Sequence, residues 1–243
     1  MTLLALRGVS KRFGGVVAVD NVDLAVHPGE IVGLIGANGA GKTTLFSLIA
    51  GNERPSSGEI KFDGVRIDGL APDRICRRGI ARAFQIVRPF AEMTVLENVM
   101  VGAMFGKARV TSQARAEALA RTILDETGLG SRANSRAGQL TLAGRKRLEI
   151  ARALATQPRL VLLDEVMAGL TPTEIDEAVA LIQGAQKRYG LTVIVIEHVM
   201  RALMRLAERI VVLHHGAKLA EGTPGEVTHN PIVIDAYFGG RRP

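Results

Sequence analysis

At 243 residues, with 47% hydrophobic and 23% charged residues, the chain can bury a sizeable core and still lies within the upper range of a single α/β domain. This balance, with no low-complexity tract, excludes a disordered chain, and no apolar run approaches the roughly 18–20 residues needed to cross a bilayer. The net charge of +7 admits nucleic acid, an anionic membrane surface or an acidic ligand, but an aromatic content of 4% without Trp weighs against a base-stacking surface.

The apolar run at residues 3–6 is too short for a signal peptide, so the chain is expected on the cytoplasmic side, attached to a membrane only through partners. Residues 29–35 predict a buried strand and residues 42–50 the helix after it. Further strands are predicted at 60–62 and 80–84, then helices near 95–103, 114–127 and 142–156. A strand at 160–164, a helix at 173–189, a strand at 191–196, a helix at 199–206 and a strand at 210–213 complete the pattern. The alternation implies an α/β fold with a mostly parallel sheet. The strand-free stretch before residue 160 implies a helical subdomain, approximately 86–158, inserted into one domain spanning 1–243. The single cysteine, Cys76, has no partner for a disulfide and reads as a buried or inert thiol. Two basic clusters, Arg74, Arg77, Arg78, Arg82 and Arg88, then Arg145, Lys146, Arg147 and Arg152, read mostly as solvated helix faces.

The first chemical signal is Gly36-Ala-Asn-Gly-Ala-Gly-Lys-Thr43, a phosphate loop set between a predicted strand and helix. Gly36, Gly39 and Gly41 let the backbone wrap an anion, and the amides through Asn38, Ala40 and Thr44 point inward with the helix dipole behind them. Lys42 would meet the outer phosphates and the Thr43 hydroxyl would ligate Mg²⁺. The second signal is Asp164-Glu165, at the end of an apolar strand and so at the edge where ligands gather in open α/β sheets. Asp164 suits a magnesium shell, and Glu165 can accept a proton from an attacking water. A third strand ends in Glu197-His198, where His198 could donate to a terminal phosphate, and Gln85 follows another strand, where it could sense metal and water.

The ordered set of phosphate loop, Gln85, an insertion, Leu140-Thr-Leu-Ala-Gly144, Asp164-Glu165 and His198 resembles an ATP-binding cassette (ABC) transporter ATPase along almost the whole chain. Within that family, Leu148-Glu-Ile-Ala-Arg152, Ala168-Gly-Leu170, Ile196-Glu-His198, Glu221-Gly-Thr-Pro224 and Asp235-Ala-Tyr-Phe-Gly239 resemble the ATP-binding subunits of branched-chain amino acid importers. The resemblance implies a P-loop NTPase (RecA-like) parallel core, an N-terminal antiparallel β portion and the helical insertion carrying the signature loop. It implies ATP and Mg²⁺ as ligands, Phe13 stacking on adenine, Thr43, Gln85 and Asp164 at the metal, Glu165 as catalytic base, His198 as a switch and Gln85 as the coupling to membrane subunits. It further implies two cassettes closing head to tail, with Thr141 reaching the partner's nucleotide, together with two permease subunits and, indirectly, an extracytoplasmic solute-binding protein. Branched-chain amino acids are the expected solutes, with amides, urea and aromatic acids as neighbouring classes.

Departures from the family pattern carry their own expectations. Thr141 keeps a hydroxyl where the signature usually has Ser and can cap the following helix. Leu142 and Ala143 replace glycines, and there a backbone with φ > 0 would be hard to accommodate. Val166 replaces the usual Pro, and Thr171 replaces an Asp that bridges many dimers; both point to pairing with a related, nonidentical ATPase. A soluble ABC ATPase acting on nucleic acid or ribosomes is the rival reading, kept open by the basic charge, although no nucleic-acid partner is expected. A kinase or GTPase would share the phosphate loop, but no Asn-Lys-x-Asp motif is present.

Overall fold

Described over residues 1–83 and 89–238 in a computed structural model, the chain divides into two units: Met1–Pro72 with the chain from Thr192 onward, and Asp73–Leu191. The first begins with strands β1 (Leu4–Phe13), β2 (Val16–Val26) and β3 (Ile31–Ile35), then helix α1 (Lys42–Ile49), β4 (Ser57–Phe62) and β5 (Val65–Arg66). The second holds α2 (Pro72–Arg78, entering from the boundary), β6 (Ile80–Ala83), α3 (Val95–Phe105), α4 (Gln113–Glu126), α5 (Leu142–Ala155), β7 (Leu160–Asp164) and α6 (Pro172–Tyr189). The first unit resumes with β8 (Thr192–Ile196), α7 (Met200–Leu206), β9 (Arg209–His214), β10 (Ala217–Gly222), α8 (Pro224–His229) and α9 (Pro231–Phe238).

In the first unit, β3 pairs in parallel with β8 on one side and β9 on the other, and β10 returns antiparallel on β9. Every residue of β3 and β8 is buried, which is the pattern of strands covered on both faces and the reason that β3 and, after Thr192, β8 read as apolar runs. Each such Leu, Ile or Val stabilises the core by about 1.5–3 kcal/mol of transfer free energy. β1, β2, β4 and β5 form a separate antiparallel sheet in the order β2-β1-β4-β5. Arg209 joins the start of β3 to β9: its guanidinium donates to both Glu30 oxygens at 2.7 and 3.0 Å and to Ala25 O at 2.7 Å. Burial pushes the Glu30 carboxyl up, but the hydrogen bonds from Arg209 and the His27 amide outweigh it and hold the group below the usual carboxylate range.

In the second unit β6 and β7 run parallel, and α3 packs on both α4 and α5. Between Ala83 and Leu160 the described residues hold three helices and two single turns of 3₁₀ helix, and no ladder strand. Local chemistry sets the helix ends. Ser112 caps α4, and reciprocal capping boxes of Thr94 with Glu97 and Thr171 with Glu174 start α3 and α6. Gly190, left-handed at φ 60, ends α6.

Most predicted elements appear within one or two residues of their expected bounds. The strand expected from residue 29 starts at Ile31, because Gly29 turns the chain at φ 79 while the Glu30 carboxylate accepts from the His27 amide at 2.9 Å. The strand expected to 84 is described to Ala83, and Phe84 and Gln85 lie outside the described residues. Helices α2, α8 and α9 and strands β1, β2, β5 and β10 had no counterpart in the predicted pattern; α2 spans 7 residues and α8 spans 6, too short for periodicity to register.

Candidate active site

The phosphate loop leaves the carboxyl end of β3. Its backbone fits only with glycine at two places: a Cβ at Gly36 would stand 2.4 Å from Leu213 O, and one at Gly41 would stand 2.3 Å from Ala18 O with φ at 99°. Ala40 is buried inside the loop, where its carbonyl accepts from the Gly216 amide at 3.1 Å, while Asn38, Gly39 and Thr43 face solvent and Thr44 is half-buried. Lys42 is buried, and its ammonium donates to the loop's own carbonyls, Gly36 O at 2.6 Å and Ala37 O at 3.1 Å. The Leu45 amide donates to Gly41 O at 2.9 Å, so the amides of Thr43 and Thr44 lie in the first turn, at the positive end of α1. Cationic side chain, helix terminus and curled backbone together make an anion cradle. Gly41→Ala is expected to lower unfolding stability by about 2–4 kcal/mol, from left-handed backbone strain plus the clash with Ala18 O, read as a lowered Tm.

His198 shares this edge. Leu34 of β3 lies beside Ile196 of β8, so both strands deliver their next residues to the same side of the sheet. Glu197 is buried and His198 is exposed. Phe13, at the end of β1, is 45% exposed, with one face of its ring occupied by the Lys11 ammonium 4.6 Å from the centroid.

In the second unit, Asp164 ends β7 and is almost wholly buried. Arg82 of β6 donates to its Oδ2 at 2.6 Å, while Oδ1 is buried with no hydrogen-bond partner among the described residues. Glu165 follows in the left-handed region at φ 51 and opens a turn in which its carbonyl accepts from the Ala168 amide at 3.3 Å and from Lys146 Nζ at 2.9 Å. Ala83 lies beside Leu163, so β6 and β7 end on the same edge; Gln85, just beyond β6, lies outside the described residues.

Thr141 is the N-cap of α5, its hydroxyl accepting from the Gly144 amide at 3.2 Å, as its position before the helix predicts. The backbone difficulty expected at Leu142 and Ala143 does not arise: both sit in the first turn of α5, and neither is among the non-glycine residues with positive φ. Leu142 extends to within 3.1 Å of where a Cβ on Gly169 would stand. Thr171 spends its hydroxyl on capping α6.

The reading of the two basic clusters as solvated faces needs correction at two residues. The Arg82 side chain is 9% exposed and bound to Asp164, and Lys146 is 5% exposed and bound to Glu165. Neither partner is near in sequence, at separations of 82 and 19 residues, so periodicity carries no sign of them; an arginine inside a strand framed by Ile80, Ala81 and Ala83 is the one available hint. Cys76 is half-buried and burial pushes its thiol up, in keeping with an inert role.

The donors expected at the metal suit magnesium. Each taken by itself is a hard oxygen, the exposed Thr43 hydroxyl in the first unit and the Asp164 carboxylate in the second, and Asp164 Oδ1, buried without a hydrogen-bond partner among the described residues, is an acceptor that a cation or its bound water would satisfy.

The family described as ABC transporter matches residues 19–168, and the one described as branched-chain amino acid ATP-binding cassette transporter matches residues 217–242. LivG of Escherichia coli (strain K12), a high-affinity branched-chain amino acid transport ATP-binding protein, is 43% identical over 98% of both chains. Among solved structures, the ADP conformation of MJ1267, an ATP-binding cassette of an ABC transporter, aligns with a TM-score of 0.88 at 29% identity over 99% of this chain and 100% of that one. The dimeric post-hydrolysis state of the cassette MJ0796, bound to ADP and Pi, aligns with a TM-score of 0.82 at 29% identity over 91% of this chain and 98% of that one. These matches give no support to an ATPase acting on nucleic acid or ribosomes. The P-loop NTPase fold, the anion cradle at Lys42 and the agreement over nearly the full length lead to one assignment: the chain belongs to the ABC transporter ATPases and is an ATP-binding, ATP-hydrolysing transporter subunit.

Proposed function

We propose that this chain powers the import of branched-chain amino acids or related small solutes, as a peripheral subunit on the cytoplasmic face of the membrane. The observation that carries this reading is the combined match to branched-chain amino acid transport cassettes along the whole chain and in the C-terminal segment 217–242. No helix among the described residues is long and apolar enough to cross a membrane, and in this reading the cassette passes its motion to separate permease subunits. The subunit itself never touches the solute, and its kinship is what names the solute class.

In this reading Lys42 and the amides from Asn38 to Thr44 bind the phosphates of ATP and Phe13 stacks on the adenine. Mg²⁺, held by Thr43, Asp164 and Gln85, would neutralise phosphate charge. Glu165 takes a proton from the attacking water, and His198 donates a hydrogen bond to the terminal phosphate. The work is positioning and charge stabilisation, which is what phosphoryl transfer asks of a protein.

Two cassettes close head to tail, Thr141 contacts the nucleotide held by the partner, and ATP-driven closure moves two permease subunits fed by an extracytoplasmic solute-binding protein. The helical backbone at Leu142 and Ala143 supports a signature turn that can present Thr141 and the amides of α5 to phosphate. The exposed Leu142 and the engagement of Thr171 in a capping box support a nonidentical ATPase as partner, because this chain offers no Asp at the dimer-bridging position. Reconstituted with its permease subunits, second ATPase and binding protein, the complex should take up labelled leucine in an ATP-dependent manner, and excess isoleucine or valine should compete. Uptake of urea or an amide in place of leucine would move the solute assignment to that class.

A further inference from the structure

The signature helix carries a polar row, buried at two of its three members, that phosphate contact does not use. Lys146, Glu149 and Arg152 follow at spacings of three along α5, and Lys146 and Glu149 are only 5% and 6% exposed. Lysine is rarely buried unless paired. Here the ammonium donates at 2.9 Å to the main-chain carbonyl of Glu165, the oxygen that also receives the Ala168 amide at 3.3 Å.

That carbonyl belongs to a residue under backbone strain. Glu165 has φ 51, a conformation costing a non-glycine residue on the order of 1–3 kcal/mol that persists only where surroundings impose it. The next residue is Val166, buried at 1% exposure, which lacks the ring that would restrict its own φ and the conformation of the residue before it. The restraint must come from contacts instead. The Lys146 charge is opposed by Glu149, whose carboxyl burial pushes above its ordinary value, outweighing the opposite pull of Arg152 and Lys146. Arg152 donates to Glu149 Oε1 at 2.8 Å, and its guanidinium lies 5.1 Å from the centre of the Phe90 ring. Phe90 is tied in turn to α3 through Asn98, with bonds of 2.9 and 3.0 Å.

We propose that Lys146 is a positioning residue for hydrolysis: by gripping the Glu165 carbonyl from inside the signature helix, it holds that residue left-handed and aims its carboxylate, while Glu149, itself held by Arg152, opposes the ammonium's charge from the next turn of the helix. The proposal rests on Glu165 being the catalytic base. It gives the helix that begins at the signature loop a direct handle on the base of its own chain.

The test compares Lys146→Met, Lys146→Arg and Glu165→Gln in the assembled transporter, reading ATP KM, kcat and binding of a fluorescent ATP analogue. Lys146→Met, which removes the donor and keeps the bulk, should lower kcat about 10- to 100-fold, the scale of a misplacement near 1 Å, with KM and analogue binding within about 2-fold of wild type. Lys146→Arg, still a donor, should recover most of the rate. Wild-type kcat in Lys146→Met beside an inactive Glu165→Gln would overturn the proposal, as would equal losses of kcat and nucleotide affinity. Wild-type turnover in Glu165→Gln would instead remove the base assignment on which the proposal stands. Should Lys146→Met fail to fold, Glu149→Gln leaves the lysine in place without its opposing charge: a lowered kcat at constant KM supports the proposal, and an unchanged kcat overturns it.

Discussion

Glu165→Gln should bind ATP as wild type does and turn it over at least about 100-fold more slowly, at the lower end of what positioned proton transfer contributes. The substitution keeps size and hydrogen bonding, so the turn that holds position 165 at φ 51 and the grip of Lys146 on its carbonyl need not change. What it removes is the capacity to take a proton from water. Measured on the assembled transporter, retained binding with lost turnover places the defect in chemistry. Turnover within about 2-fold of wild type would transfer the proton to water or phosphate and leave Glu165 a structural residue.

Lys42→Ala should fail one step earlier. Lys42 is 7% exposed, and its ammonium is directed into the loop by Gly36 O and Ala37 O. Charge-assisted hydrogen bonds are worth about 1.5–3 kcal/mol, so losing even one to phosphate weakens ATP binding by about 10- to 150-fold. The alanine also removes the lysine's bonds to both carbonyls, leaving Ala37 O with the Ala40 amide at 3.0 Å, and opens space at the start of α1. Titration with a fluorescent ATP analogue checks this: affinity within about 2-fold of wild type would mean that the loop amides and helix dipole carry phosphate binding without the lysine. The two variants separate cleanly, since one binds without turnover and the other does neither.

What could be read from sequence depended on how local the controlling physics is. The phosphate loop was legible because its demands fall within eight consecutive residues: glycine where Gly36 and Gly41 approach Leu213 O and Ala18 O, a lysine to fold back, and a helix to follow. β3, β7 and β8 were legible because every residue in them is buried. β1 and β2 were not, since shifts of register after Leu6, Val9 and Lys11 break the alternation that marks a half-buried strand; the antiparallel portion was expected only through the family resemblance. Lys146 and Arg82 were missed for the opposite reason from the loop. They sit among other basic residues and look solvated, and their partners Glu165 and Asp164 reach them only through the tertiary packing of α5 and β6 with β7. Leu142 and Ala143 show the remaining gap: comparison with a glycine-containing signature suggested an awkward backbone, whereas the cap from Thr141 simply starts the helix there.

The most direct measurement of transport coupling is the ATP turnover of the assembled complex in vesicles, with and without leucine-loaded binding protein, set against the purified chain alone. A several-fold rise on adding permease subunits, a second ATPase and loaded binding protein, abolished by Lys42→Ala, is the predicted result. A turnover that is the same for the isolated chain and in every assembly would contradict it.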